Sequence, residues 1–333
     1  MTKDFTICIG TVGAGVWYSP NSGEKWRRSK MKLPFHAEPG EIQIRALAVY
    51  PNNPQRLLAG SEAGLYRSED KGASWELIDS PMDGKQIWSL GIHPTTPEVI
   101  YAGTKPPAIY RSLNDGKSWE QVPIVTAESC FAGAPKVTNV VFDPRDPNTI
   151  WVGVEIDGVY CSRDGGNSWV HLPPLGKDML NGDIHGLTVC QSQPTKLLVT
   201  TPDGIWASTT EGENWSLHGF PKFFERDQIS YCRGVAVKQN NPDIIFVANG
   251  DFIPGRTGSI QRSKDGGKTW QAAPLPVEPN STIYWFATHP ADPDVIVANS
   301  LNGYIYTSVD GGDSWKKVKQ EFGEVRAVAW VPN

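Results

Sequence analysis

Short apolar runs recur along the chain in pairs, each pair joined by a small-residue turn. Examples are RLLAGS (56–61) followed by AGLYRS (63–68), IIFVANG (244–250) by GSIQRS (258–263), and VIVANS (295–300) by GYIYTS (303–308). Upstream of each pair lies a further apolar strand, such as IRALAVYP (44–51), IWSLGIHP (87–94) or VTNVVFDP (137–144), and downstream a polar turn leads into a short outer strand. Each unit thus reads strand, turn, strand, loop, strand, turn, strand, which predicts a four-stranded antiparallel sheet whose strands we call A to D.

The polar turn between strands C and D is a motif that opens with Ser and closes with Trp seven positions later. It occurs seven times, at Ser19–Trp26, Ser68–Trp75, Ser112–Trp119, Ser162–Trp169, Ser208–Trp215, Ser263–Trp270 and Ser308–Trp315. The Trp-to-Trp steps are 49, 44, 50, 46, 55 and 45, so the repeat fills the 333 residues and accounts for seven of the 13 Trp. Steps of this size are those of propeller blades. Asp70, Asp164, Asp265 and Asp310 are suited to accept backbone N–H groups within the turn, Gly to supply positive φ, and Trp to cover a contact between blades. Asn21, Asn114 and Thr210 replace Asp in three copies.

These Ser-x-Asp-x-Gly-x-x-Trp turns resemble the Asp-box (BNR) repeat of bacterial sialidases, xyloglucanases, the sortilin family and photosystem II assembly factors. The chain begins with strands B (FTICIGT), C and D and ends with EVRAVAWVPN, which has the A pattern. The expected architecture is therefore all-β: one domain over 1–333, a seven-bladed β-propeller of four-stranded antiparallel blades, closed when the C-terminal strand joins the N-terminal blade.

In such a ring the D–A and B–C loops surround one mouth of the central channel. Alignment of the A strands places Arg326, Arg45, Trp88, Thr138, His185, Arg233 and Tyr284 at equivalent positions there, in ring order. Arg233, Tyr284, Arg326 and Arg45 would form a cationic half-circle suited to carboxylate or phosphate. Trp88, Tyr284 and the adjacent Trp285 would add flat walls for a ring-shaped ligand. We expect Arg45, Arg233, Arg326, Trp88, Thr138 and Trp285 to bind substrate. His185, two residues after Asp183, would serve as acid or base oriented by that carboxylate. His36 is a second histidine on this face, whereas His93 and His289 sit at matching A–B turns and read as structural. Glu62, Glu155, Asp157, Asp203, Asp251 and Glu324 fall in loops at the same mouth, where two of them could act as the paired acids of a glycosidase. The longest step contains GFPKFFERDQIS and NGDFIPGRTGS, so Asp251, Phe252 and Arg256 are expected at a rim or lid.

A formal charge of -5, a pI near 5.7 and a mean hydropathy of -0.36 argue against nucleic-acid or membrane partners. The five cysteines form no CxxC pair, and no signal peptide is recognisable at Met1, so a cytoplasmic protein with reduced thiols is expected. No motif for a zinc site, a Walker loop or a dinucleotide fold is present, and neither metal nor cofactor is expected. Two functions remain. One is a hydrolase or lyase acting on a small carboxylated, ring-containing substrate at the channel mouth. There the resemblance to sialidases, whose arginine triad lies beside a nucleophilic tyrosine, implies a catalytic Tyr284. The other is a non-enzymatic scaffold similar to photosystem II assembly factors, with protein partners at the enlarged loops. A sortilin-like receptor is set aside, because no transmembrane helix or cysteine-rich module accompanies the repeats.

Overall fold

The computed structural model describes residues 3–32, 42–130, 133–223 and 230–333. Among them, seven antiparallel sheets follow one another around a central channel. The innermost A strands are Val325–Pro332 in blade 1, then Ala46–Tyr50, Gln86–Ile92, Val137–Phe142, Gly186–Cys190, Cys232–Lys238 and Ile283–Thr288 in blades 2 to 7. Val325–Pro332 pairs antiparallel with Phe5–Thr11, matching Phe5 to Pro332 and Ile9 to Val328, so the chain ends close the ring as expected. One blade departs from four strands. After its D strand, Arg27–Arg28, blade 1 sends Lys30–Met31 across to pair in parallel with Ser74–Ile78, the D strand of blade 2. That strap covers an edge otherwise open to further pairing.

Strand residues alternate between the two gaps that flank their blade, and both gaps are dry, so B strands read as continuous apolar runs. Ile7 and Ile9 pack towards blade 7 with Val295, Val297 and Ile305, while Cys8 packs towards blade 2 with Leu57, Ala59 and Tyr66. The core is accordingly a set of seven clusters, one per gap, and each takes one of the motif tryptophans, Trp26, Trp75, Trp119, Trp169, Trp215, Trp270 or Trp315.

The motif acids are turn acceptors. Asp70 Oδ1 accepts the N–H of Ser74 at 2.8 Å, and its Oδ2 accepts the Ser74 hydroxyl at 2.6 Å; Asp164, Asp265 and Asp310 repeat this with Ser168, Thr269 and Ser314. The substituted copies keep the bond: Asn21, Asn114 and Thr210 each accept the N–H four residues on, at 2.9 Å. Any side-chain oxygen at that position satisfies the turn. His93 and His289 likewise use Nδ1 to accept N–H groups of their own A–B turns. Among the described residues no helix is long and apolar enough to cross a membrane.

Near the channel the blades approach through glycine. Gly60 of strand B in blade 2 faces Ile87 of blade 3, and a Cβ there would lie 2.5 Å from Ile87 Cγ2 and 3.0 Å from its carbonyl oxygen. Gly60→Ala is therefore expected to lower stability by about 1–3 kcal/mol in urea denaturation, because the neighbouring backbone must move. Gly323→Ala, where nothing lies within 4 Å, should stay within about 0.5 kcal/mol. Equal effects at the two sites would contradict this account of blade packing.

Candidate functional site in the channel

The innermost strand of a radial blade sends alternate side chains into the gaps on either side. What turns one side chain per blade towards the channel is a β-bulge. In blade 1, Gly10 pairs with Ala327 and Thr11 with Val325, so Arg326 is the extra residue. Trp88, Thr138 and Tyr284 are skipped in the same way, and in blade 6 Arg233 and Gly234 together oppose one residue. In blades 2 and 5 the N–H of Arg45 bonds Gly60 O and that of His185 bonds Thr200 O, each beside a residue already paired with the same partner. All seven positions aligned from the sequence, with Trp285, line one cavity of about 180 Å³. Below them Leu47, Leu90, Val140, Leu187 and Val328 make an apolar floor.

Cations and aromatic faces alternate along one side of this ring. The Arg45 guanidinium lies 4.5 Å over Trp88, Arg326 lies 5.6 Å from Trp88 and 5.5 Å from Tyr284, and Arg233 lies 4.6 Å over Tyr284. Trp88 thus collects cations on its π surface, a different task from the open apolar wall expected of it. Arg233 Nη2 donates to Tyr284 Oη at 2.9 Å and Arg326 Nη1 at 3.3 Å. Burial pushes the Tyr284 phenol up, but Arg233, Arg326 and Lys136 together outweigh it and bring the pKa down to about 8.

Arg326 pairs with Glu324. Among the described residues neither Arg45 nor Arg233 has a carboxylate within ion-pair distance, although Arg233 is only 6% exposed. The Nε atoms of both are buried without a hydrogen-bond partner. Buried donors of this kind carry a desolvation cost that an anionic ligand would offset.

His185 is 2% exposed. Its Nδ1 lies 2.6 Å from the Cys232 carbonyl and its Nε2 3.1 Å from Asp183 Oδ2 and 3.3 Å from the Tyr231 hydroxyl. Burial and Arg233 push the imidazole below its ordinary value, while Asp183 opposes them. Nδ1–H donates to the carbonyl, and Nε2 faces both the Asp183 carboxylate and the Tyr231 hydroxyl. Thr138 lines the cavity, but its hydroxyl spans the Ile184 and Gly153 carbonyls at 2.8 and 3.1 Å, so its one proton is committed to the scaffold.

No carboxylate lines the cavity among the described residues. The loop acids weighed as a glycosidase pair each have a partner within the protein. Glu62 accepts the Gln43 N–H, Glu155 pairs with Lys136, Asp157 accepts the Tyr160 hydroxyl, and Asp203 accepts the Asn181 amide. Asp251 accepts the N–H groups of Arg256 and Thr257 at 2.8 and 3.2 Å and lies 3.6 Å from Arg256 Nε, which clamps the rim loop. Phe252 is 58% exposed and its ring lies 5.9 Å from Tyr231, which packs in turn 4.8 Å from His185. His36 lies outside the described residues.

Sequence reasoning missed a second tier two residues before the ring. Gln43 accepts from Arg45, Gln86 accepts from Trp88 Nε1 at 3.0 Å, and the Lys136 ammonium lies 4.5 Å over Trp88 while paired with Glu155. Tyr231 belongs to the same tier. The signal was present, because the two-residue spacing noted for Asp183 and His185 repeats in every blade.

The fold and ring define the chain as a seven-bladed β-propeller. The Sortilin-Vps10 family model, described as sortilin, neurotensin receptor 3, matches residues 63–175 and 203–331, and the chain belongs to this family. The family match agrees with the resemblance to the sortilin family read from the repeat turns. A probable oligoxyloglucan-reducing end-specific xyloglucanase of Neosartorya fischeri is 27% identical over 289 residues, covering 83% of this chain and 33% of that protein. The chain thus spans about a third of that relative's length. Among solved structures, the GH74 xyloglucanase from Xanthomonas campestris aligns with a TM-score of 0.67 at 19% identity, over 98% of this chain and 52% of that one. YCF48 from Cyanidioschyzon merolae aligns with a TM-score of 0.63 at 14% identity, over 90% and 97% of the two chains. These structural likenesses show the shared fold.

Tyr284 gives the site a spectroscopic handle. Ultraviolet titration should show one tyrosine ionising near pH 8, about two units below an ordinary phenol, and Tyr284→Phe should remove that step. A folded pKa below the unfolded one means that the ionised ring adds stability as pH rises from about 8 to 10 and that this contribution is lost as pH falls through 8. A first phenolate signal appearing only near pH 10 would contradict the cation cluster.

Proposed function

We propose that the protein binds a small carboxylated, ring-containing molecule in the channel cavity and acts on it as a hydrolase or lyase. The observation that carries this reading is the convergence of Arg45, Arg233, Arg326 and Tyr284 on one cavity, where the buried Nε atoms of Arg45 and Arg233 lack a hydrogen-bond partner. Guanidinium groups gathered at a cavity select a planar anion such as carboxylate. The size agrees, since an apolar cavity of about 150 Å³ accommodates benzene and this one measures about 180 Å³. Similarity to proteins named as xyloglucanases supports a saccharide-like ring. The anionic group is proposed from the arginines alone.

A second reading, a non-enzymatic scaffold in the manner of photosystem II assembly factors, is favoured by one observation. The alignment with YCF48 covers nearly all of both chains, a single propeller against a single propeller. In that case the Arg cluster would receive a carboxylate belonging to a polypeptide, and Phe252 would lie at the contact.

Calorimetry of the wild type against a panel of carboxylated sugars and ring acids tests the first reading. Arg45→Ala with Arg233→Ala should weaken binding by at least tenfold, because a hydrogen bond to a charged partner contributes about 1.5–3 kcal/mol. Equal binding by the two proteins would remove the proposal. Capture of acidic peptides with no response to any small acid would favour the scaffold.

A further inference from the structure

The cavity's chemistry narrows the reaction, on the reading that a carboxylated ring is bound there. Hydrolysis of a glycosidic bond uses a carboxylic acid beside the leaving oxygen and a carboxylate or activated water opposite it. No carboxylate lines this cavity among the described residues, and His185 is turned to the Cys232 carbonyl and Asp183 through its two nitrogens. What the cavity does present is Tyr284 Oη between two guanidinium donors, Arg233 Nη2 at 2.9 Å and Arg326 Nη1 at 3.3 Å. With both donors directed at it, the oxygen is set up as an acceptor. Arg45 and Arg233 line the same cavity, each with a buried Nε that has no hydrogen-bond partner.

A base facing a clamped carboxylate suits removal of the proton α to that carboxylate. Such a proton is weakly acidic until the carboxylate's charge is neutralised, because its loss places a second negative charge on the same group, and cations positioned at that group stabilise the developing charge. We propose that this channel site is a lyase site that cleaves a uronate by β-elimination, with Tyr284 as the base and Arg45 and Arg233 holding the carboxylate. The C–H bond α to the carboxylate breaks and its proton passes to Tyr284 Oη. The electron pair of that bond becomes the C=C bond between the α and β carbons. The C–O bond at the β carbon breaks with its pair on oxygen, and Tyr284 returns the proton to that oxygen. Phenolate is regenerated, and neither water nor any further reactant is consumed. A 4-linked hexuronate has this arrangement, with the carboxylate on one ring carbon and the glycosidic oxygen on the β carbon. The cavity of about 180 Å³ takes one sugar ring, and the departing residue extends into the channel mouth.

A direct test incubates the full chain with 1,4-linked disaccharides of galacturonate, glucuronate and mannuronate, following absorbance of a conjugated unsaturated acid and the product masses. At least one should yield an unsaturated product one water lighter than the hydrolytic product. Tyr284→Phe should lower kcat by about 100-fold or more while calorimetric affinity stays within a few-fold of wild type. The wild-type rate should rise with pH through about 8. Products carrying a hydroxyl from isotopically labelled water would overturn elimination and leave the carboxylate-binding reading standing. Binding of all three sugars with neither turnover nor exchange of the α proton in heavy water would do the same. No binding of any of them by wild type would overturn both readings, and unchanged turnover in Tyr284→Phe would overturn the role of the tyrosine.

Discussion

The structure depends on how closely its blades approach the axis. Strand B gives up its side chain at Gly60, so that Ile87 of the next blade presses onto bare backbone, and Gly10, Gly103 and Gly153 meet Ile44, Val137 and Ile184 in the same way. The residue after each of these contacts is the bulged one, Arg45, Trp88, Thr138 or His185. In these four blades tight packing and the inward turn of one side chain are thus two aspects of one local arrangement. A regular strand would have sent Arg45 into an apolar gap, where an unpaired charge is strongly disfavoured.

That arrangement concentrates like charges. Arg45, Arg233, Arg326 and Lys136 converge in a chain whose overall charge is -5. Glu324 and Glu155 neutralise two of the four. Trp88 and Tyr284 spread the remaining field through their faces, and the lowered phenol lets Tyr284 act as a partial counter-anion. The cluster is held in place by the fold before any ligand arrives, which is the preorganisation that electrostatic catalysis and tight anion binding both use.

Much of this was legible in the residues, and the remainder was hidden for physical reasons. The seven Ser-to-Trp turns revealed blade number, closure and the outer face, because a turn needs particular side chains at set positions. Asn21, Asn114 and Thr210 preserved the pattern because only the acceptor oxygen matters. The ring positions could be aligned because each blade repeats one register. The bulges that aim them left no residue signature, since an extra residue in a strand is a matter of pairing. Lys136 was overlooked because its role comes from Trp88 of the preceding blade. The partners of the loop carboxylates were hidden because they include backbone N–H groups and side chains of neighbouring loops.

The structural neighbours share this frame while it makes up different shares of their own length. On the proposed reading, the charge of the channel is what sets the function of this member. A crystal structure of the protein soaked with galacturonate tests that claim most directly. The account predicts the carboxylate within hydrogen-bonding distance of Arg45 Nε and Arg233 Nε, with its α carbon facing Tyr284 Oη. A sugar bound elsewhere, with the two Nε atoms still lacking a partner, would contradict it.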